Sequence, residues 1–212
     1  MPTLSFRTVA SRAGLYILFL AGLMQAVLMV DARHAVAADF SETSLTEITQ
    51  AALLFLCTVL MLIIRQRVGV LRNVSLLLAA FFAISLVREN DLWLDTYLFD
   101  GAWEWLVVLM ALPALLSVLR SRRAFLEEFS LIANSLGFGL FAGGFLTTYV
   151  FSRLYGRSEL WHALMGDHYL RIVKDAAEEI TELTGYSLLL FASVELLLLA
   201  RRLRDRRLLE AG

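Results

Sequence analysis

The chain has 212 residues, of which 59% are hydrophobic and only 18% charged, with a mean hydropathy of +0.70. Soluble domains run about 45–50% apolar and about 25% charged, so an ordinary water-soluble domain is excluded, and the apolar excess falls in runs approaching the ~20 residues that cross a bilayer. A single cysteine, Cys57, excludes an intrachain disulfide, and the net charge of −1 conceals a strong asymmetry along the chain.

Apolar runs fall at 14–30, 48–64, 74–92, 103–119, 130–151 and 183–200. Charged residues bound each of them, and in lipid an open-ended segment satisfies its own backbone only as a helix. The expected fold is all-α: one integral membrane domain over 1–212, a polytopic transmembrane bundle of about six helices with both ends in the cytoplasm. The first run has a second reading, because Arg7 and Arg12, an apolar stretch, and Ala35-Val36-Ala37 ahead of Ala38 also make a signal peptide. The length of the stretch, and the crowding of Asp31, Arg33 and His34 near the cleavage position, favour an uncleaved first helix. The second run opens on Ser44-x-x-Glu47, a capping box. The third is the weakest, since Arg88, Glu89 and Asp91 load its outer end. Pro113 predicts a kink in the fourth. In the fifth, Ser135, Gly139, Gly143 and Thr147 recur every four residues, and small residues on one face let helices approach closely, which predicts packing inside the bundle. Ahead of the sixth, 169–182 lacks proline and glycine and predicts an outer helix continuous with the last membrane helix. Residues 169–200 would then extend about 48 Å at ~1.5 Å per residue, beyond the ~30 Å hydrocarbon core.

Charge sets the expected orientation. Thirteen of the 19 basic residues lie on one side of the alternating runs, at Arg7, Arg12, Arg65, Arg67, Arg72, Arg120, Arg122, Arg123 and the tail Arg201, Arg202, Arg204, Arg206 and Arg207. The positive-inside rule makes that side cytoplasmic. Fifteen of the 20 acids, and all four tryptophans (Trp93, Trp103, Trp105, Trp161), lie on the other side, where aromatic residues belt an interface. Lysine is nearly absent, with Lys174 alone. That usage suits a bacterial inner membrane with the acidic face periplasmic.

Counting from the inner arginine boundary of each helix brings four carboxylates to one depth. Glu47 is 18 residues from Arg65, Glu89 17 from Arg72, Glu104 16 from Arg120 and Glu182 19 from Arg201, about 24–29 Å at ~1.5 Å per residue. Gln50 lies one turn deeper than Glu47 on the same face. Arg171, Asp175, Glu178 and Glu182 follow i, i+4, i+7, i+11 and share a face. Ionisable groups at such depth usually face a bundle interior or a watery cavity. The candidate binding set is therefore Glu47, Gln50, Arg88, Glu89, Asp91, Asp175, Glu178, Glu179 and Glu182, built from the second, third and last helices, with Arg88 neutralising one or two of the acids. Against this stands a plainer possibility, that the groups mark helix ends among headgroups and water; Glu104, between two tryptophans, fits it best. Glu195 sits inside the last run with no base one turn toward the cytoplasm, and is expected to pair with another helix or to stay protonated.

No catalytic residue stands out. The chain holds no P-loop, GxGxxG, nucleophile elbow, CxxC or zincin motif, no membrane pair of haem histidines, and His34, His162 and His168 are scattered. No cofactor or metal is implied, and nothing points to nucleic acid. The acid excess suits binding or transport of a cation or a cationic small molecule. The alternatives are a membrane enzyme acting on lipid headgroups or envelope precursors, and a non-catalytic assembly subunit. The expected partners are the lipid bilayer, a small cation or headgroup, and a membrane protein docking through 169–182.

Overall fold

A computed structural model describes residues 5–35 and 44–211; residues 36–38 of the alternative cleavage site, together with Asp39 and Glu42, lie outside them. The described residues form helices and no strand. In chain order they are α1 (Phe6–Ala35), α2 (Leu45–Ile63), α3 (Arg72–Glu89), α4 (Asp91–Tyr97), α5 (Ala102–Arg120), α6 (Arg122–Ile132), α7 (Leu136–Leu146), α8 (Ser152–Tyr155), α9 (Ser158–Met165) and α10 (Arg171–Ala211). Four stretches are long and apolar enough to cross a membrane unbroken: Phe6–Asp31, Leu45–Val68, Ala102–Arg120 and Arg171–Glu210. Two bent pairs raise the number to six if each counts as one span.

The bends correct two of the expected runs. The third does not continue through residue 92. Asn90 leaves helical geometry at φ −118°, ψ 23°, its Nδ2 donates back to the Leu86 carbonyl at 2.8 Å, and Asp91 Oδ1 accepts the Leu92 N–H at 2.7 Å. These local side-chain bonds compete with the helix ladder, and α4 departs at 66° from α3. The fifth run does not start at residue 130. Ser135, extended at ψ 154°, accepts the Phe138 N–H at 3.2 Å and caps a new helix. The stretch Leu136–Tyr155 thus turns 97° away from α6. Pro113 lies inside α5, which continues through it.

The long last helix organises the fold. Over its most apolar window α10 is 67% buried, against 6% for α1 and 17% for α5, so α10 is the hub and those two are peripheral. It packs on α2 and α7. The last helix starts at Arg171, two residues later than expected, and continues unbroken through the arginine tail.

The α7–α10 contact is where glycine is needed, and not at the glycines the four-residue spacing suggested. A Cβ at Gly185 would overlap Thr148 Oγ1, and one at Gly144 would lie 2.9 Å from the Gly185 carbonyl. Gly139 and Gly143 have nothing within 4 Å of such a Cβ. Their face points away from the bundle; one residue further round the helix, Gly144 lets the backbones meet.

Where α2 runs into α3 the chain reverses sharply. A π-helical turn, Ile64–Val68, ends with Gly69 N–H bonded to Ile64 O at 3.0 Å. Gly69 at φ 73° and Leu71 at φ 59° then complete the reversal. A leucine with positive φ is strained; here its side chain is 3% exposed, so burial opposes the strain.

Peripheral α1 is pinned at both ends. Arg12 Nη1 lies 2.8 Å from Glu195 Oε2, and Tyr16 Oη donates to Glu195 Oε1 at 2.7 Å. The Tyr16 ring stacks on Phe191 with centroids 4.4 Å apart. Glu195 therefore pairs across helices, one of the two outcomes expected of it. At the far end Asp31 accepts the N–H groups of Leu45 and Thr46, each at 3.1 Å, and the Thr46 hydroxyl. It caps α2 together with Ser44, which accepts the Glu47 N–H at 3.1 Å.

Candidate functional site: an acidic cavity between three helices

Three of the four acids that share a depth, Glu47, Glu89 and Glu182, also share a cavity. A hollow of about 240 Å³ is lined by Glu47 and Gln50 from α2, Glu89 from α3, and Arg171, Asp175, Glu178, Glu179 and Glu182 from α10. Helical periodicity explains the α10 contribution, since residues 171, 175, 178 and 182 lie on one stripe. Glu179 stands beside that stripe, facing α2; its backbone carbonyl accepts the Gln50 Nε2 at 3.2 Å. Gln50, 1% exposed, closes the inner end.

Seven of the nine candidate residues meet there. Arg88 and Asp91 do not. Arg88 is exposed and forms no ion pair among the described residues, while Asp91 is spent on starting α4. Glu104 is exposed on α5, away from the cavity. The cations that serve the cavity are different ones. Arg153 Nη2 approaches Glu182 Oε1 at 3.1 Å and Arg153 Nη1 approaches Glu178 Oε1 at 3.5 Å. Lys174 Nζ lies 2.9 Å from Asp175 and 3.2 Å from Glu178, and Arg171 Nε lies 3.4 Å from Asp175.

Arg153 is the residue beside the cavity that the sequence did not reveal. It reaches α10 because the helix after α7 passes through a π-helical turn, Thr147–Phe151, with the Ser152 N–H bonded to Thr147 O. The extra residue in that turn re-aims Ser152 and Arg153 just beyond it, as π-bulges commonly do near functional positions. Ser152 Oγ donates to Glu182 Oε1 at 3.2 Å. Gly156 leaves the room that the Glu178 carboxylate occupies, since a Cβ there would overlap it. Nothing in the spacing of residues 147–156 signals this.

No family model, curated protein or solved structure matches the chain.

Charge balance is the cavity's main property. Six carboxylates line it, and the three neighbouring cations pair with Asp175, Glu178 and Glu182. Glu89 is held by Tyr186, whose hydroxyl donates to Oε1 at 2.6 Å, and a second polar pair, Ser85 with Tyr149 at 2.6 Å, lies behind it. The Glu179 carboxylate forms no hydrogen bond or ion pair among the described residues. Opposed like charges close together attract a counter-charge. Among the described residues no three His, Cys, Asp or Glu side chains gather tightly enough to hold a metal ion. The lining contains no aromatic ring, so it lacks the cage that favours quaternary ammonium groups.

Proposed function

We propose that this chain is a multi-pass membrane protein of the bacterial inner membrane that binds, and in doing so prepares for transport, a small organic cation at an acidic cavity on its periplasmic face. The observation that carries this reading is the surplus of converged carboxylates, with Glu89 and Glu179 lacking a cationic partner among the described residues. The occupant best suited is a protonated primary amine or a guanidinium. Such groups bring several N–H donors, and charge-assisted hydrogen bonds to carboxylates are about twice as strong as neutral ones. The dispersed acids suit a ligand with donors spread over several atoms better than a bare ion, and a volume of about 240 Å³ limits it to a small one.

The test is a thermal-shift titration of purified protein with a panel of small amines, guanidinium compounds, choline and simple metal salts. An amine or guanidinium should raise the unfolding temperature of the wild type in a saturable way. Glu179→Gln and Glu89→Gln should each lose most of that rise while folding normally without ligand. If both variants respond like the wild type, the cavity is not the binding site.

A second reading, the assembly subunit, has an observation of its own. Leu160 and Leu164 are exposed on α9, Leu170 just ahead of α10, and Ile172 and Val173 in the first turn of α10. That apolar surface would serve a membrane-protein partner. Replacing Leu160 and Leu164 by Ser should disrupt a native complex but leave amine binding intact; an unchanged complex removes this reading.

A further inference from the structure

A second cavity, of about 280 Å³, lies near the opposite, arginine-rich end of the bundle between α3, α6, α7 and α10. Phenylalanine dominates its wall: Phe81 from α3, Phe125 and Phe129 from α6, and Phe138, Phe141 and Phe145 from α7. Every other lining side chain is Val, Leu or Ile. Water needs two to four polar partners to stay in a cavity, and this one offers none. It is also open, because Phe129 and Phe145 at its edge are 37% and 39% exposed. An apolar hollow of this size that water does not fill calls for an apolar occupant.

Three features say which. The α3 part of the wall runs from Val74 to Phe81, about 10 Å at ~1.5 Å per residue, which fits within one leaflet's half of a ~30 Å hydrocarbon core. Its lid, α6, is an amphipathic helix lying at 97° to the helix after it, so it lies across the bundle end and not along it. Its apolar residues Phe125, Phe129 and Ile132 face the groove, and Arg122 and Arg123 begin it. Arg122 stands three residues before Phe125, on the same helical face. A cationic rim thus adjoins a greasy slot, and basic pockets between membrane helices on that side select anionic headgroups.

We propose that this groove is a binding site for one acyl chain of an anionic phospholipid from the leaflet on the arginine-rich side, with the phosphate held by Arg122. The inference rests on the membrane reading above but not on the acidic cavity. The lid is itself anchored for this purpose. Glu128 accepts the N–H groups of Asn73 and Val74 at 2.7 and 2.9 Å and the Asn73 Nδ2 at 3.0 Å, which fixes α6 to the first turn of α3.

The experiment reconstitutes the full chain in phosphatidylcholine vesicles containing phosphatidylglycerol, with a trace of phosphatidylglycerol bearing a diazirine midway along one acyl chain. After irradiation, labelled peptides are quantified by mass spectrometry. Labelling of 74–81 and 125–145 should exceed that of the exposed face of α5 (Leu109, Leu112, Leu119) several-fold. Placing the diazirine on phosphatidylcholine should reduce the groove signal, and Arg122→Gln should abolish the difference between the two lipids. Leu78→Trp, which fills the slot, should lower groove labelling while α5 labelling stays constant; the wild-type pattern decides the matter should that variant misfold. Groove labelling no greater than that of α5 overturns the proposal and leaves the membrane reading standing. Cross-links from the groove to a second copy of the chain also overturn it, and labelling nowhere overturns both.

Discussion

At the scale of single residues, the tightest constraint is steric and the most costly one electrostatic. Gly185→Ala must separate α7 from α10, because the new methyl would overlap Thr148 Oγ1. Overpacking of this kind costs about 1–3 kcal/mol, so the unfolding temperature in detergent should fall. Gly139→Ala meets nothing within 4 Å and should be neutral or gain roughly 0.5–1 kcal/mol from helix propensity. Equal effects at the two sites would contradict the packing described. For the Arg12–Glu195 pair, removing one partner strands a charge in an apolar setting. Arg12→Leu should cost about 3–5 kcal/mol, and Arg12→Leu with Glu195→Leu should recover most of it, read from the same unfolding assay. A double variant as unstable as the single one would mean that the pair positions α1 in a way leucine packing cannot replace. The sequence made the acidic half of the cavity legible, because counting from the arginine boundaries needs only a helical rise. It left the basic half hidden. Arg153 meets Glu178 and Glu182 through a π-helical turn and a glycine-mediated helix contact, and neither has a period that a sequence displays. Arg88 was misplaced for a related reason: helical position predicts depth, but the break at Asn90 decides where the end of α3 points.

At the scale of elements, hydropathy located every long apolar helix but blurred the two that bend. An average over 130–151 cannot register that Ile132 ends one helix and Leu136 starts another, since both flanks are apolar. Nor does it register α6, whose Phe125, Phe129 and Ile132 alternate with Arg122, Arg123, Glu127 and Glu128; an amphipathic segment averages to nothing in particular. What holds α6 in place is Glu128, acting as a cap from outside the helix it caps. Three of its hydrogen bonds end on Asn73 and Val74, and Ser121 Oγ donates to Asn73 Oδ1 at 2.6 Å. Glu128→Ala leaves two α3 N–H groups without their acceptor. A lost cap costs about 0.5–2 kcal/mol, and the loss should be local. Hydrogen exchange at Asn73 and Val74 should accelerate, with the centre of α10 unchanged. Protection that persists in the variant would show that packing against the phenylalanine groove, and not the cap, fixes α6.

For the whole molecule, two arguments converge on how the chain sits and which segments belong to it. The 41 residues of α10 extend about 61 Å at ~1.5 Å per residue, twice the ~30 Å hydrocarbon core, so in the proposed membrane arrangement about half of the helix would project beyond that core. The acidic cavity lies toward one end of α10 and the arginine tail forms the other. With the basic rim placed inside by the positive-inside rule, reporter fusions after residues 70, 125 and 212 should all report a cytoplasmic location, and a periplasmic signal at any of them would reverse the proposed orientation. The second argument concerns α1. Its burial is slight, as a detachable segment's would be, yet it supplies two groups that reach into the rest of the fold. Arg12 meets Glu195, 5% exposed, in the middle of the hub helix, and Asp31, 9% exposed, holds the first N–H groups of α2. Cleavage after Ala37 would remove both at once, leaving Glu195 unpaired in apolar surroundings and the Leu45 and Thr46 N–H groups without their acceptor, with Ser44 alone capping the helix that carries Glu47 and Gln50. These two contacts tie α1 to α10 and α2, and they favour the expectation of an uncleaved first helix. Intact-mass measurement of the chain purified from membranes should include residues 6–31. A mature species beginning at Ala38, still binding its amine, would show that Glu195 finds another partner once α1 has gone.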